Sequence, residues 1–267
     1  MLQINSNYRR WILGGFTVLS IGTVFFLQPI PQNPHYHHFD DARTMLNIPH
    51  FWNVVSNAPF LLVGFIGLWL LLGKKVEFTP PFPPVAFFFI GIFLTGIGSA
   101  YYHWAPSNET LIWDRLPMTI TFMSLLAAII SVCIHRKTGT FLLWIFLIIG
   151  IGTVLYWYVG EMRGKGDLRF YALVQFYPLL AIPMIVYLYP SNKLSRPALL
   201  KAILWYVLAK VFEKADGEVY QMGGLLSGHT LKHLASGAAV WQILLSIQYA
   251  KIIENPGKRK NPTAVIR

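Results

Sequence analysis

Three histidines and two further polar residues of this sequence have the types and spacing for metal-assisted hydrolysis. Ser99 and His103 close one apolar run, Asp114 opens the next, and His229 and His233 open the last. On a helix, His229 and His233 stand at i and i+4, on one face and one turn apart, so both imidazoles can reach the same ion. Ser99 and His103 share that spacing. A short turn containing Pro106 and Asn108 brings His103 and Asp114 to a similar depth. Three neutral imidazoles leave a tetrahedral zinc one open position for water, whose pKa drops to about 7. Asp114 would orient or deprotonate that water and pass the proton to a leaving group, while Ser99 would hydrogen-bond the substrate carbonyl or the developing oxyanion. Hydrolysis of an amide or ester within a lipid suits this set.

Each residue also has a plainer use. A single histidine in an apolar helix commonly hydrogen-bonds a neighbouring helix, and serine packs helices closely. Asp114 could pair with Arg115 or serve as an acid at a helix N-terminus. The cluster Glu213-Lys214-Ala215-Asp216-Gly217-Glu218 reads as a solvated external loop or, more sharply, as a lid. The stretch His35 to Asp41 could hold a second metal, but a surface loop with incidental histidines is the simpler reading. His50 precedes an apolar run, and His135 ends one on the opposite side from the cluster.

The elements that must position these residues are membrane helices. Of 267 residues, 55% are hydrophobic and 12% charged, against about 25% charged in soluble domains. Eight runs read as spans: Trp11–Pro29, Phe51–Leu72, Pro84–Trp104, Leu111–His135, Thr140–Gly160, Phe170–Tyr189, Ala198–Phe212 and His229–Ile252. The seventh is short and carries Lys201 and Lys210. The first follows Arg9 and Arg10 as a signal peptide would, but no small-residue cleavage site comes after it, so it reads as a retained span. The net charge of +11 does not mark a nucleic-acid binder, because the basic residues sit in short loops between apolar runs and in the tail. With the N-terminus inside, Arg9, Arg10, Lys74, Lys75, Arg136, Lys137, Lys193, Arg196, Lys201, Lys251, Lys258, Arg259, Lys260 and Arg267 fall inside. Outside lie Arg43, Arg163, Lys165, Arg169 and Lys214. Both termini are therefore expected to be cytoplasmic, and the five polar residues to meet just inside the external or lumenal face. The lone cysteine, Cys133, excludes an intramolecular disulfide and a cysteine-based metal site.

The set Ser99-x-x-x-His103, Asp114 and His229-x-x-x-His233, together with Phe51-Trp52-Asn53-Val54-Val55-Ser56-Asn57, resembles the alkaline ceramidase family. That family sits in a wider superfamily with adiponectin-receptor-like proteins and a lipid-remodelling branch acting on GPI anchors. The resemblance covers about residues 36 to 252. It implies a seven-helix bundle with a zinc amidohydrolase site that cleaves an N-acyl sphingoid base, a ceramide-like membrane lipid, to a fatty acid and a long-chain base. By position it makes His103, His229 and His233 the zinc ligands, Asp114 the acid/base and Ser99 the carbonyl-stabilising residue. The sequence departs from the family at its N-terminal side. An extra span precedes the core, the acid-rich calcium-binding segment of eukaryotic members is missing, and His50 stands at an acidic position, which weighs against Ca2+.

The expected architecture is an all-α polytopic bundle. Residues 1–33 form the N-terminal end and extra helix, 34–254 a seven-helix ceramidase-like core, and 255–267 a basic cytoplasmic tail. A competing reading is a receptor-like or other superfamily member with a different substrate or a structural zinc. A structural site is closed and needs neither Asp114 nor Ser99. A haem protein fits less well because His229 and His233 share a face, and a transporter would show a repeat or broken-helix pair.

Overall fold

The computed structural model describes residues 5–73 and 81–254, with side chains through residue 246. Lys74, Lys75 and the tail 255–267, on which part of the charge count rests, lie outside the described residues. The described chain is helical: α1 Ser6–Phe26, α2 Phe51–Val55, α3 Ala58–Leu72, α4 Phe82–Trp104, α5 Asn108–Cys133, α6 Arg136–Met162, α7 Arg169–Leu188, α8 Arg196–Lys214, α9 Asp216–Gly223 and α10 Gly228–Glu254. Five segments are long and apolar enough to cross a bilayer: Phe51–Leu72, α4, α5, α6 and α7. Hydrocarbon-facing surfaces are covered with exposed side chains such as Trp11, Phe65, Phe141 and Ile148, as befits a membrane-embedded bundle.

Helix ends follow local chemistry more than apolarity. Ser107 caps α5 with a reciprocal capping box to Thr110, so α5 begins at Asn108, ahead of the first apolar residue Leu111. His135 accepts from the Thr138 N–H and starts α6 at Arg136. The expected span Phe51–Leu72 comes in two pieces. The Asn57 side chain donates to the Asn53 carbonyl at 2.8 Å, diverting it from the helical ladder, and Pro59 follows with no N–H to give. The expected loop at 213–218 is mostly helical, since α8 runs on to Lys214 and α9 begins at Asp216. Glu213 there is paired with Lys210 and Lys232, while Lys214 and Glu218 are exposed.

The main core lies among α3, α4, α5, α7, α8 and α10, built on Phe88, Phe89, Ile92, Leu126, Ile185 and Leu244. Glycine sets the closest approach: a Cβ at Gly98 would run into the Trp113 carbonyl of α5. That contact holds the end of α4 against the start of α5. α1 packs chiefly along α7, and Arg169 fixes its end by reaching the Val24 and Leu27 carbonyls while paired with Asp167.

From α1 the chain crosses back over the bundle end as a strap, residues 27–50. Ile30 N–H donates to Asp167 at 3.3 Å, Gln32 N–H to Glu161 at 2.7 Å, and Arg115 to the Gln32 side-chain carbonyl at 2.7 Å.

Candidate metal centre

α4 delivers His103 and α10 delivers His229 and His233 to one point. All three are buried, and one ring nitrogen from each lies within 4.8 Å of the others. His103 Nε2 and His229 Nε2 stand 3.2 Å apart. Two ligands about 2.0–2.1 Å from a tetrahedral ion are separated by about 3.3 Å, so the spacing is that of a shared cation. The donor chemistry agrees. The Ser56 hydroxyl meets His233 Nδ1 at 2.8 Å, leaving Nε2 to face the other two rings.

α10 is held in register at its first turn by two contacts. Its first turn is capped by Asp216, which accepts from the His229 N–H at 2.6 Å. Thr230, between the two histidines, donates to the Asn53 side chain at 2.9 Å. The Phe-Trp-Asn…Ser-Asn stretch thus supports the histidines through Asn53 and Ser56, a role visible in sequence only as polar residues inside an apolar run.

Asp114 and Ser99 are buried beside the trio and face one cavity with His233. Arg115 turns the other way. Its guanidinium stacks 4.2 Å over Trp157 and 5.0 Å over Tyr171, so Asp114 is not its ion-pair partner. Ser99, Asp114 and His233 line a cavity of about 110 Å³ together with Lys232. A second cavity of about 90 Å³ shares Thr121, Phe122, Tyr206, Ala239 and Val240 with it and reaches Ile243. Ten residues of α10 separate His233 from Ile243, about 15 Å of helix. The site therefore heads an apolar passage running down the bundle.

Lys232 was not singled out from the sequence, although an ionisable residue inside an apolar run is itself a signal. Its Nζ lies 3.0 Å from His229 Nε2 and 3.2 Å from Glu213. Glu213 also pairs with Lys210 at 2.6 Å.

The strap closes the site from the opposite side. The Phe39 ring lies 4.7 Å from the rings of both His103 and His229. His37 is held by Tyr102 and Asn108, each at 3.0 Å. Burial lowers its pKa, opposed by the Asn108 hydrogen bond. Asp41 pairs with Arg43, which also donates to the Leu225 carbonyl at 2.7 Å. Among the described residues, the one group of three metal-binding side chains is His103, His229 and His233, so His35–Asp41 packs as a cover and does not assemble a second trio. His135 serves as the α6 cap, away from the site.

The family model described as Ceramidase matches residues 44–213, more than half of the chain. The chain belongs to the ceramidase family. Membership implies a hydrolase acting on amide bonds. The match takes in Ser99, His103 and Asp114 and stops short of α10, so His229 and His233 are joined to them by geometry alone. Among curated proteins none matches the chain.

Proposed function

We propose that this ceramidase-family protein is a zinc-dependent intramembrane hydrolase that cleaves the N-acyl bond of ceramide-like sphingolipids to a fatty acid and a sphingoid base. The carrying observation is the buried histidine trio set beside Asp114 and Ser99 at the head of an apolar passage. His103, His229 and His233 would hold the zinc, which when bound polarises the scissile carbonyl and lowers the pKa of water. The acyl chain lies in the passage towards Ile243, which places the amide at Ser99 and Asp114. Ser99 donates to the carbonyl oxygen as it gains charge. Asp114 removes a proton from the attacking water and returns it to the amine nitrogen as the C–N bond breaks and the C–O bond forms. Lys232 adds a positive charge facing the same developing oxyanion, with Glu213 holding its ammonium in place.

The reading extends to topology. The seven-helix core spans 34–254, preceded by the extra span within 1–33 and followed by the cytoplasmic tail 255–267. α1, α8 and α10 complete eight crossings, both termini are cytoplasmic, and the site opens near the external or lumenal face. The charge bias of the loops supports this orientation. Arg43 engages Asp41, one of the two carboxylates ahead of α2, which weighs against Ca2+.

The test is metal analysis of the purified protein joined to a lipid-amide panel. About one zinc per chain is expected. Asp114→Asn should keep the zinc and lose turnover. A different lipid amide cut in place of ceramide would move the substrate and keep the chemistry, whereas a zinc-free protein that still hydrolyses ceramide would overturn the site.

A further inference from the structure

A third and larger cavity, about 610 Å³, lies between α1 and the faces of α5, α6 and α7. It shares no lining residue with the passage beneath the histidines. Its α1 wall, from Arg10 to Ile21, precedes the segment that matches the ceramidase family. The wall is hydrocarbon almost throughout. Its mid-depth hydroxyls, Thr17 and Tyr177, bond each other at 2.7 Å and offer little to a polar ligand. One end is different: Arg10, Thr138 and Tyr189 line it, and Arg9 packs over the Tyr189 ring. Every ionisable side chain in residues 5–13, 134–140 and 189–197, the segments that meet there, is basic or a histidine or tyrosine. From Arg10 to Ile21 on α1, and from Thr138 to Ile149 on α6, the wall runs about 16 Å. That is the thickness of one leaflet of a bilayer hydrocarbon core, about half of 30 Å.

We propose that this cavity is a binding site for one anionic glycerophospholipid, with its phosphate at the Arg10 end and an acyl chain along the α1–α6 cleft. The occupant follows from the match of shape and charge. A leaflet-deep apolar slot accepts an acyl chain, and Arg10 at its rim selects a negative headgroup. Such a lipid fills the space that α1 leaves as it leans on α7, so α1 is fixed to the bundle through a ligand.

The test uses the full chain purified in mild detergent, with bound phospholipid extracted and counted by headgroup. About one phospholipid per chain is expected, enriched in anionic headgroups relative to the host membrane. A Cβ at Gly14 meets nothing within 4 Å, so Gly14→Trp fills the slot without displacing a neighbour and should empty it of lipid. Ile149→Trp does the same from the α6 wall should α1 itself be disturbed. Arg10→Gln should keep the lipid but lower the preference for anionic headgroups roughly fivefold, the equivalent of about 1 kcal/mol per basic group. A headgroup mixture equal to that of the membrane, phospholipid unchanged in both tryptophan variants, a free fatty acid in its place, or a slot covered by a second copy of the chain would each overturn the proposal.

Discussion

The Ser56 hydroxyl sits 2.8 Å from His233 Nδ1 and fixes which nitrogen of that ring faces the other two histidines. Groups in this position orient a ligand and set its basicity, and their loss commonly weakens metal binding 10- to 100-fold. Ser56→Ala is therefore expected to lower zinc affinity by that factor, measured by competition with a chelator, while the helical content stays unchanged. Unaltered affinity would mean that His233 is held by its packing alone.

Among the described residues Lys232 is the one cation lining the cavity at Ser99 and Asp114, and Lys232→Met removes it. If its charge faces the developing oxyanion, kcat should drop about 10²- to 10³-fold with zinc content intact. A change confined to KM would assign Lys232 to substrate binding instead.

Gly98→Ala places a methyl group against the Trp113 carbonyl. Relief requires α4 and α5 to separate beside Ser99 and Asp114. The expected cost is about 1–3 kcal/mol in thermal or denaturant unfolding, with a further loss of turnover in the protein that remains folded. Wild-type stability would show that the helices part freely.

Asp167 lies outside the spanning helices and ties α1, the strap and α7 together. Burial acts to raise its pKa, but hydrogen bonds from Arg169 outweigh it and hold the carboxyl below its ordinary 3.8. A depressed carboxylate stabilises the fold above its unfolded pKa and loses that contribution as pH drops through the folded value. Asp167→Asn should therefore cost about 1.5–3 kcal/mol at neutral pH, the range for hydrogen bonds to charged groups. The gap from wild type should narrow once the pH falls below 3.8. A difference independent of pH would assign the effect to shape instead of charge.

The histidine trio was legible because it uses local rules: the i, i+4 pair on α10 and a short turn between His103 and Asp114. Loop charges then put all of them at one end of the bundle. Five of the eight long apolar runs are matched by helices long and apolar enough to span, although ends moved by a few residues where Ser107 and His135 cap. What escaped were contacts between chain-distant residues. Nothing near Ser56 announces His233, and nothing near Phe39 announces His103 and His229. Glu213 looked solvated since it stands among other charges, yet it is bound to Lys210 and Lys232. Lys232 was hidden between the two histidines that drew attention, although its i, i+3 spacing from His229 puts it beside that ring.

His103 and His229 are separated by 126 residues, and this has a consequence for biosynthesis. A nascent chain that has inserted α4 and α5 already carries Ser99, His103 and Asp114, but a single imidazole cannot retain zinc. The remaining two arrive with α10, the last of the described helices. If the zinc is needed for turnover, as proposed above, a hydrolase assembled in this order stays inert until α10 is in place.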